Sequence, residues 1–87
     1  MIFHISQPYL WLSVNKKNPE VKLHFYCNNT KFQEVDIQLG GTDGDFYTLM
    51  DVSSYLGQDI EIKGDIPEEM FYNIFCYKEK VQNVYPF

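Results

Sequence analysis

The sequence predicts a small all-β sandwich, built from two antiparallel sheets in a jelly-roll or immunoglobulin-like arrangement. Apolar and polar residues alternate along several runs of about six to eight residues, as they do in half-buried strands. Short connections rich in Gly, Asn and Pro separate these runs, and no long amphipathic helix lies between them. The 87 residues are enough for one domain, 1–87, and seven Phe, seven Tyr and one Trp supply apolar surface for its core.

The first predicted strand is the stretch "YLWLSV" at residues 9–14. Leu10 and Leu12 point to one side of this strand, whereas Tyr9 and Trp11 point to the other. The stretch "NKKNP" follows and is rich in residues that break regular structure, so it predicts a turn. The chain therefore starts with a strand that has one aliphatic side and one aromatic side.

A hairpin is predicted around the Asn pair at 28–29, because asparagine tolerates the positive φ angles of tight two-residue turns. Its first strand, "VKLHFYC" at residues 21–27, alternates cleanly, and its partner spans residues 31–39. Phe32 is out of phase with the other apolar residues of the partner strand. Either Phe32 lies on the outer face, or a β-bulge near residues 33–34 resets the register.

A central strand is predicted for "DFYTLMDV" at residues 45–52, because both of its faces are largely apolar. The glycine-rich loop "GGTDG" precedes it at residues 40–44. After the strand, "SSYLG" predicts one short helical turn that ends at Gly57, and "DIEIKG" predicts a further strand. These patterns give about five strands joined by short connections.

The last quarter of the sequence fits two structures. Pro67 and the two acids after it favour a short helix, with the acids near the positive end of the helix dipole. The alternation from Phe71 to Tyr77 equally suits a strand. We favour one short helical turn followed by an extended tail. The apolar ending "VYPF" predicts an excised piece whose continuation packs on a neighbouring domain.

Composition and charge exclude several classes of function. The net charge of −5 disfavours nucleic acid as a partner, because phosphate binding needs a basic patch and the lysines are scattered. No apolar stretch approaches the roughly 20 residues of a membrane span, so no membrane partner is expected. Cys27 and Cys76 form no C-x-x-C pair, which disfavours a metal site. One disulfide and two free thiols both stay open.

The aspartates at the two ends of the central strand, Asp45 and Asp51, do not form a catalytic pair. Six residues of strand separate them by roughly 20 Å, whereas the two carboxylates of a glycosidase lie about 5–9.5 Å apart. Asp51 is instead expected to cap the turn that follows. His4 and His24 lie in strand-like contexts without a nucleophile motif, and "GGTDG" matches no phosphate-binding loop. The sequence therefore predicts no catalytic residue, no metal and no cofactor.

Tyr9 and Trp11 are the candidate contact residues, because they lie opposite the core-facing leucines of their strand. Exposed aromatic side chains on a β-sandwich can stack on sugar rings or pack against another domain. We favour packing, with sugar binding as the alternative.

Four stretches of the chain resemble a known domain. They are "SQPYLWLSV", "KLHFYCNNTKFQEVDIQL", "DFYTLMDVSSYLGQDIEI" and "GDIPEEM". They are similar to the N-terminal β-sandwich domain that precedes the catalytic propeller in bacterial levanases and related β-fructosidases of glycoside hydrolase family 32. The positions that carry the resemblance are Tyr9-Leu10, Phe46-Tyr47, Met50-Asp51-Val52-Ser53 and Gly57. Two positions depart from the family, because Met50 replaces a Leu and Trp11 replaces a commonly polar residue.

The resemblance implies a non-catalytic accessory domain of a bacterial, fructan-hydrolysing enzyme that is secreted or periplasmic. The family's catalytic motifs, Trp-x-Asn-Asp-Pro-Asn and Glu-Cys-Pro, do not occur in this sequence. The segment is therefore expected to pack on or assist the catalytic β-propeller of the same polypeptide, with levan, inulin or sucrose as the implied ligands. The alternative is a free-standing carbohydrate-binding or protein-interaction module.

Overall fold

The computed structural model describes residues 1–78 and the backbone of residues 85–86. This part of the chain contains short 3-10 turns and eight strands. The turns are Gly41–Asp43, Ser53–Tyr55 and Glu68–Phe71. The strands are β1 (Ile2–His4), β2 (Tyr9–Val14), β3 (Val21–Cys27), β4 (Thr30–Ile37), β5 (Phe46–Asp51), β6 (Asp59–Lys63), β7 (Phe75–Tyr77) and β8 (Tyr85–Pro86).

The strands form two four-stranded sheets, and the predicted all-β sandwich is confirmed. The first sheet has the order β1-β6-β3-β4 and is antiparallel throughout. The second has the order β7-β2-β5-β8 and is antiparallel except where β8 runs parallel to β5. Of the two predicted arrangements, the central strands fit the immunoglobulin type, with β2-β5 in the place of B-E and β6-β3-β4 in the place of F-C-C′, whereas the parallel β8 differs from an antiparallel D strand. Here β1 occupies the position of the last strand and β7 that of the first.

Alternating side chains from both sheets meet in one core. Leu10 and Leu12 of β2 enter it from the second sheet, and Phe25, Ile60 and Ile62 enter it from the first. All five side chains are completely buried. Burial of a side chain of this size stabilises the fold by roughly 1.5–3 kcal/mol relative to exposure. The period-two alternation that predicts these strands therefore also identifies their core-facing residues.

The hairpin predicted around the Asn pair is present between β3 and β4. Asn28 and Asn29 have φ angles of 51° and 62°, in the left-handed region that a tight hairpin turn requires. Asparagine adopts this region more readily than other residues with a Cβ atom. The turn residues thus fix where the two strands reverse direction.

Phe32 is the extra residue of a β-bulge in β4. The register between β3 and β4 shifts between Phe25 and Tyr26. The Phe32 ring stacks on Tyr55 with centroids 4.1 Å apart, and its centroid lies 6.2 Å from that of Phe25. The bulge therefore turns Phe32 toward the core, one residue before the predicted place. The alternative, an outward-facing Phe32, is wrong.

The structure also decides the open question about the last quarter. A 3-10 turn at Glu68–Phe71 follows Pro67, and the extended strand β7 comes after it. The favoured interpretation is thus correct, and a continuous strand from Phe71 is wrong. The short strands β1 and β8 were outside the predicted set. The expectation that the "VYPF" ending packs on a further domain falls largely outside the described residues.

The glycine-rich loop at residues 40–44 folds back over one end of β2. The buried Asn15 side chain holds it in place by donating a 2.7 Å hydrogen bond to the carbonyl oxygen of Asp43. Ser13 is 1% exposed beneath the loop. A Cβ atom at Gly44 would overlap Ser13 Oγ, so this position requires glycine. The loop therefore closes one end of the outer side of the second sheet.

Cys27 and Cys76 are both free thiols, one in each sheet. Cys27 is buried, and its Sγ donates to Gln58 Oε1 at 3.2 Å. Cys76 is half-buried on β7. The free-thiol alternative is therefore the one that this structure contains.

Candidate functional site

The outer side of the second sheet carries a cluster of aromatic rings centred on Trp11. In the strand register, Trp11 lies opposite Phe75 of β7 and opposite Leu49 of β5. The ring centroids of Tyr47, Phe75 and Tyr77 lie 5.6, 5.6 and 5.1 Å from that of Trp11. We call these five residues, Trp11, Tyr47, Leu49, Phe75 and Tyr77, the aromatic face.

The members of the aromatic face differ in how much surface they offer to a partner. Trp11 is 9% exposed and Leu49 is 5% exposed, so both are buried under their neighbours. Phe75 and Tyr77 are 38% and 39% exposed. A partner that approaches this side therefore meets mainly the two rings of the edge strand β7.

Both residues singled out from the sequence lie on this side of the sheet. Tyr9 is half-buried and lies opposite Tyr77 in the register. Trp11 is the buried centre of the face and does not offer an open ring surface. Sequence reasoning missed Phe75 and Tyr77, although they belong to an alternating stretch, because the sequence does not reveal which strand pairs with β2.

The indole nitrogen of Trp11 is shielded from solvent and has no hydrogen-bond partner among the described residues. A buried donor without an acceptor costs roughly 1–3 kcal/mol. Most buried polar groups in proteins are satisfied, so each exception calls for a physical reason. The centre of the aromatic face thus combines apolar contact with one unused N–H donor.

The outer side of the first sheet has the opposite chemistry. Lys22 Nζ lies 3.6 Å from Glu34 Oε2 and 3.4 Å from Asp36 Oδ1. Lys31 and His24 each approach Glu34 Oε1 at 3.0 Å. Asp36, and then Glu34, raise the pKa of Lys22, whereas the hydrogen bond from Lys31 is the main cause that lowers the pKa of Glu34. We call these five residues the charged face.

The groups that commonly carry catalysis are dispersed over the described residues. Asp45 and Asp51 flank β5 at its two ends, and the Asp51 carboxylate accepts a 2.9 Å hydrogen bond from the N–H of Ser53, as predicted. His4 Nδ1 lies 2.8 Å from Asp59 Oδ1 on the surface. In residues 1–78, no three His, Cys, Asp or Glu side chains are placed to hold a metal ion. The expectation of a chain without catalytic residues stays a prediction.

Comparison of this chain with family models, with curated proteins and with solved structures finds no match. The resemblance to levanase domains, and every function it implies, therefore stays a prediction that rests on four sequence stretches. Within the described part of the chain, no helix has the length and apolar character that a membrane crossing requires.

Proposed function

We propose that this chain is a non-catalytic accessory β-sandwich that docks on a neighbouring protein domain through the aromatic face. The observation that carries the proposal is the cluster of rings around Trp11 on the outer side of the second sheet. One side of an antiparallel sheet in a sandwich normally meets water and is polar. Apolar clusters on such a side commonly mark interaction surfaces.

The shape of the aromatic face favours a protein partner over a sugar. The Trp11 ring is inclined by 51° to Tyr47, by 31° to Phe75 and by 58° to Tyr77. A sugar ring stacks on one open, flat ring face, whereas an interlocked group of tilted rings suits the irregular side chains of another domain. Trp11 is also too buried to stack on a ligand directly.

The identity of the neighbouring domain comes from the sequence resemblance alone. It implies the catalytic β-propeller of a bacterial, levanase-like glycoside hydrolase, encoded in the same polypeptide. The parent enzyme would cleave β-fructofuranosyl linkages with residues that lie outside this chain. Reading the gene downstream of the codon for Phe87 tests this part of the proposal. An open frame without an Asn-Asp-Pro-Asn stretch would refute the levanase assignment and leave the docking role to be tested separately.

A carbohydrate-binding module is the second candidate. It is favoured by the exposed rings of Phe75 and Tyr77, because exposed aromatic rings can stack on the apolar face of a sugar. Levan, inulin and sucrose are the ligands that the resemblance implies. The two candidates use the same residues and differ only in the chemistry of the partner.

A titration of the chain with levan, inulin and sucrose separates the two candidates. The chain has one Trp, so its fluorescence reports on the centre of the aromatic face alone. The docking proposal predicts no saturable change in emission. Saturable binding that is lost in Tyr77→Ser and kept in Tyr72→Ser would establish the carbohydrate-binding module instead. Tyr72 is the matched control, since it is 52% exposed and lies outside the aromatic face.

Docking itself is tested in the full polypeptide encoded by the gene. Tyr77→Ser is expected to lower the melting temperature of that protein, because the exposed ring would be buried at the interface. Tyr72→Ser is expected to leave it within about 1 °C, as surface substitutions usually do. Equal melting temperatures for the two variants would contradict docking through this face.

A further inference from the structure

A second candidate binding site lies at one end of the sandwich, where β3 begins and β4 ends. It is a cleft of about 370 Å³. Its lining residues are Asn18, Pro19, Val21, Leu39, Asp65, Ile66, Pro67 and Met70. We call it the apolar cleft. It shares no residue with the aromatic face, and its volume falls within the range of small-molecule sites, roughly 300–1,000 Å³.

Backbone and side-chain hydrogen bonds hold the walls of the apolar cleft in position. Leu39 is 1% exposed, and its carbonyl oxygen accepts a 2.7 Å hydrogen bond from Asn18 Nδ2. On the opposite wall, the N–H of Met70 donates to the carbonyl oxygen of Pro67 at 3.0 Å. Gly64 lets the chain pass close to Leu23, since a Cβ atom there would lie 2.8 Å from Leu23 Cδ2. The cleft is therefore built into the fold.

Asp65 is the charged residue that lines this cleft. Its side chain is exposed and makes no ion pair or hydrogen bond with any of the described residues. No lysine or arginine is among the lining residues, and the chain as a whole carries a net charge of −5. A carboxylate beside apolar walls attracts a positive charge attached to an apolar group and repels an anion.

We infer that the apolar cleft binds hydrophobic cations, in which an aliphatic or aromatic group carries an ammonium. The apolar group occupies the space between Val21, Leu39 and Met70, and the ammonium lies beside Asp65. Such a ligand is either a free amine or a basic, hydrophobic peptide segment, which share this chemistry. The inference is independent of the docking function proposed for the aromatic face.

The test compares three probes of nearly equal size by NMR titration of the 15N-labelled chain. The probes are phenethylamine, 2-phenylethanol and phenylacetate, which are a cation, a neutral molecule and an anion. We expect the amide signals of the non-proline residues in 18–21 and 65–70 to shift with phenethylamine, more weakly with the alcohol, and least with the anion. Equal affinities for the cation and the anion, or no shift at these residues up to millimolar concentrations, would overturn the inference.

Two variants isolate the role of the carboxylate. Asp65→Asn is expected to weaken phenethylamine binding by about twofold to fivefold, the range of an exposed ion pair, and to leave the alcohol unaffected. Glu68→Gln is the matched control, because Glu68 is an exposed acid close in sequence that does not line the cleft. An equal loss in both variants, or no loss in Asp65→Asn, would remove Asp65 from the site and overturn the choice of a cation.

Two further comparisons distinguish a peptide ligand from a free amine, and the apolar cleft from the aromatic face. A blocked Phe-Lys dipeptide that binds more tightly than phenethylamine would assign a peptide ligand, and the reverse order would assign a free amine. The single indole N–H signal of Trp11 reports on the aromatic face in the same spectra. If only the Trp11 signal shifts, the apolar cleft is not the binding site. The docking function proposed for the aromatic face does not depend on the result at residues 65–70.

Discussion

The two outer sides of this sandwich share one geometry and have opposite chemistry. On the first sheet, Lys22 and Lys31 lie among carboxylates that water can reach. On the second sheet, Trp11 lies among rings and is itself buried. Both sides arise from the same alternation of side chains along the strands. The difference shows that alternation assigns a residue to one side of the sheet. Its cross-strand neighbours then determine whether its side chain is exposed to solvent or buried.

The largest effect is expected from removal of the centre of the aromatic face. Trp11→Ala should lower the free energy of unfolding by about 3–5 kcal/mol, the usual cost of truncating a buried large aromatic residue. Tyr26→Ala, at a half-buried position on the outer side of the first sheet where Lys63 Nζ lies 5.0 Å from the ring centroid, should cost clearly less. Urea unfolding followed by circular dichroism measures both. Similar costs for the two variants would remove the distinction between the two sides.

A smaller effect is expected where the glycine-rich loop closes the end of the aromatic side. Gly44→Ala should cost about 1–3 kcal/mol, because the new Cβ atom overlaps the buried Ser13 hydroxyl. The double variant Ser13→Ala with Gly44→Ala should recover part of the loss, since it removes Oγ. Thermal unfolding of the single and double variants provides the measurement. An unchanged stability in Gly44→Ala would mean that the loop does not pack closely against Ser13 of β2.

The smallest effect is expected on the charged face, and it depends on pH. The pKa of Glu34 is lowered from its ordinary value of 4.5, so its contribution to stability is present above that value and is lost as the pH falls through the folded-state pKa. The unfolding midpoints of the wild type and Glu34→Gln should therefore differ slightly at pH 7, and the difference should shrink as the pH falls below 4.5. Added salt should shrink the difference at pH 7.

Asp36 and Glu34 raise the pKa of Lys22. This shift affects stability at high pH, whereas the shift of Glu34 affects it at low pH. Its contribution is complete below the ordinary value of 10.5 and is lost as the pH rises through the raised pKa.

The prediction for Glu34 has a clear contrary outcome. A difference in unfolding midpoint between the wild type and Glu34→Gln that stays constant from pH 7 to pH 3 would contradict this account of the charged face.

Long runs of alternation made most of the fold predictable from the sequence. The bounds of β3 match the predicted stretch, and β2, β5 and β6 lie where the patterns place them. The strand β1 escaped prediction because its three residues are too few to display a period of two. Phe32 was recognised as out of phase, but only the packing of its ring on Tyr55 distinguishes a bulge from an outward-facing residue.

The candidate site was only half predictable for a different reason. Tyr9 and Trp11 follow from local alternation, whereas Phe75 and Tyr77 join them because β7 pairs with β2 across more than sixty residues of sequence. Such pairings are set by the tertiary fold and leave no local pattern. The burial of Trp11 follows from the same pairing, so the sequence alone could not distinguish an open aromatic surface from a packed one.

Each sheet contains one free thiol, and the rate at which that thiol is alkylated reports on local opening of the sheet. Cys76 is half-buried on a three-residue strand at the edge of the second sheet, so small local fluctuations expose it to an alkylating reagent. Cys27 is buried at the end of β3, next to the exposed hairpin turn, and becomes reactive when that end of the first sheet opens. Labelling of the native chain should therefore proceed in two kinetic phases, and the slower rate reports on the opening of the structure around Cys27.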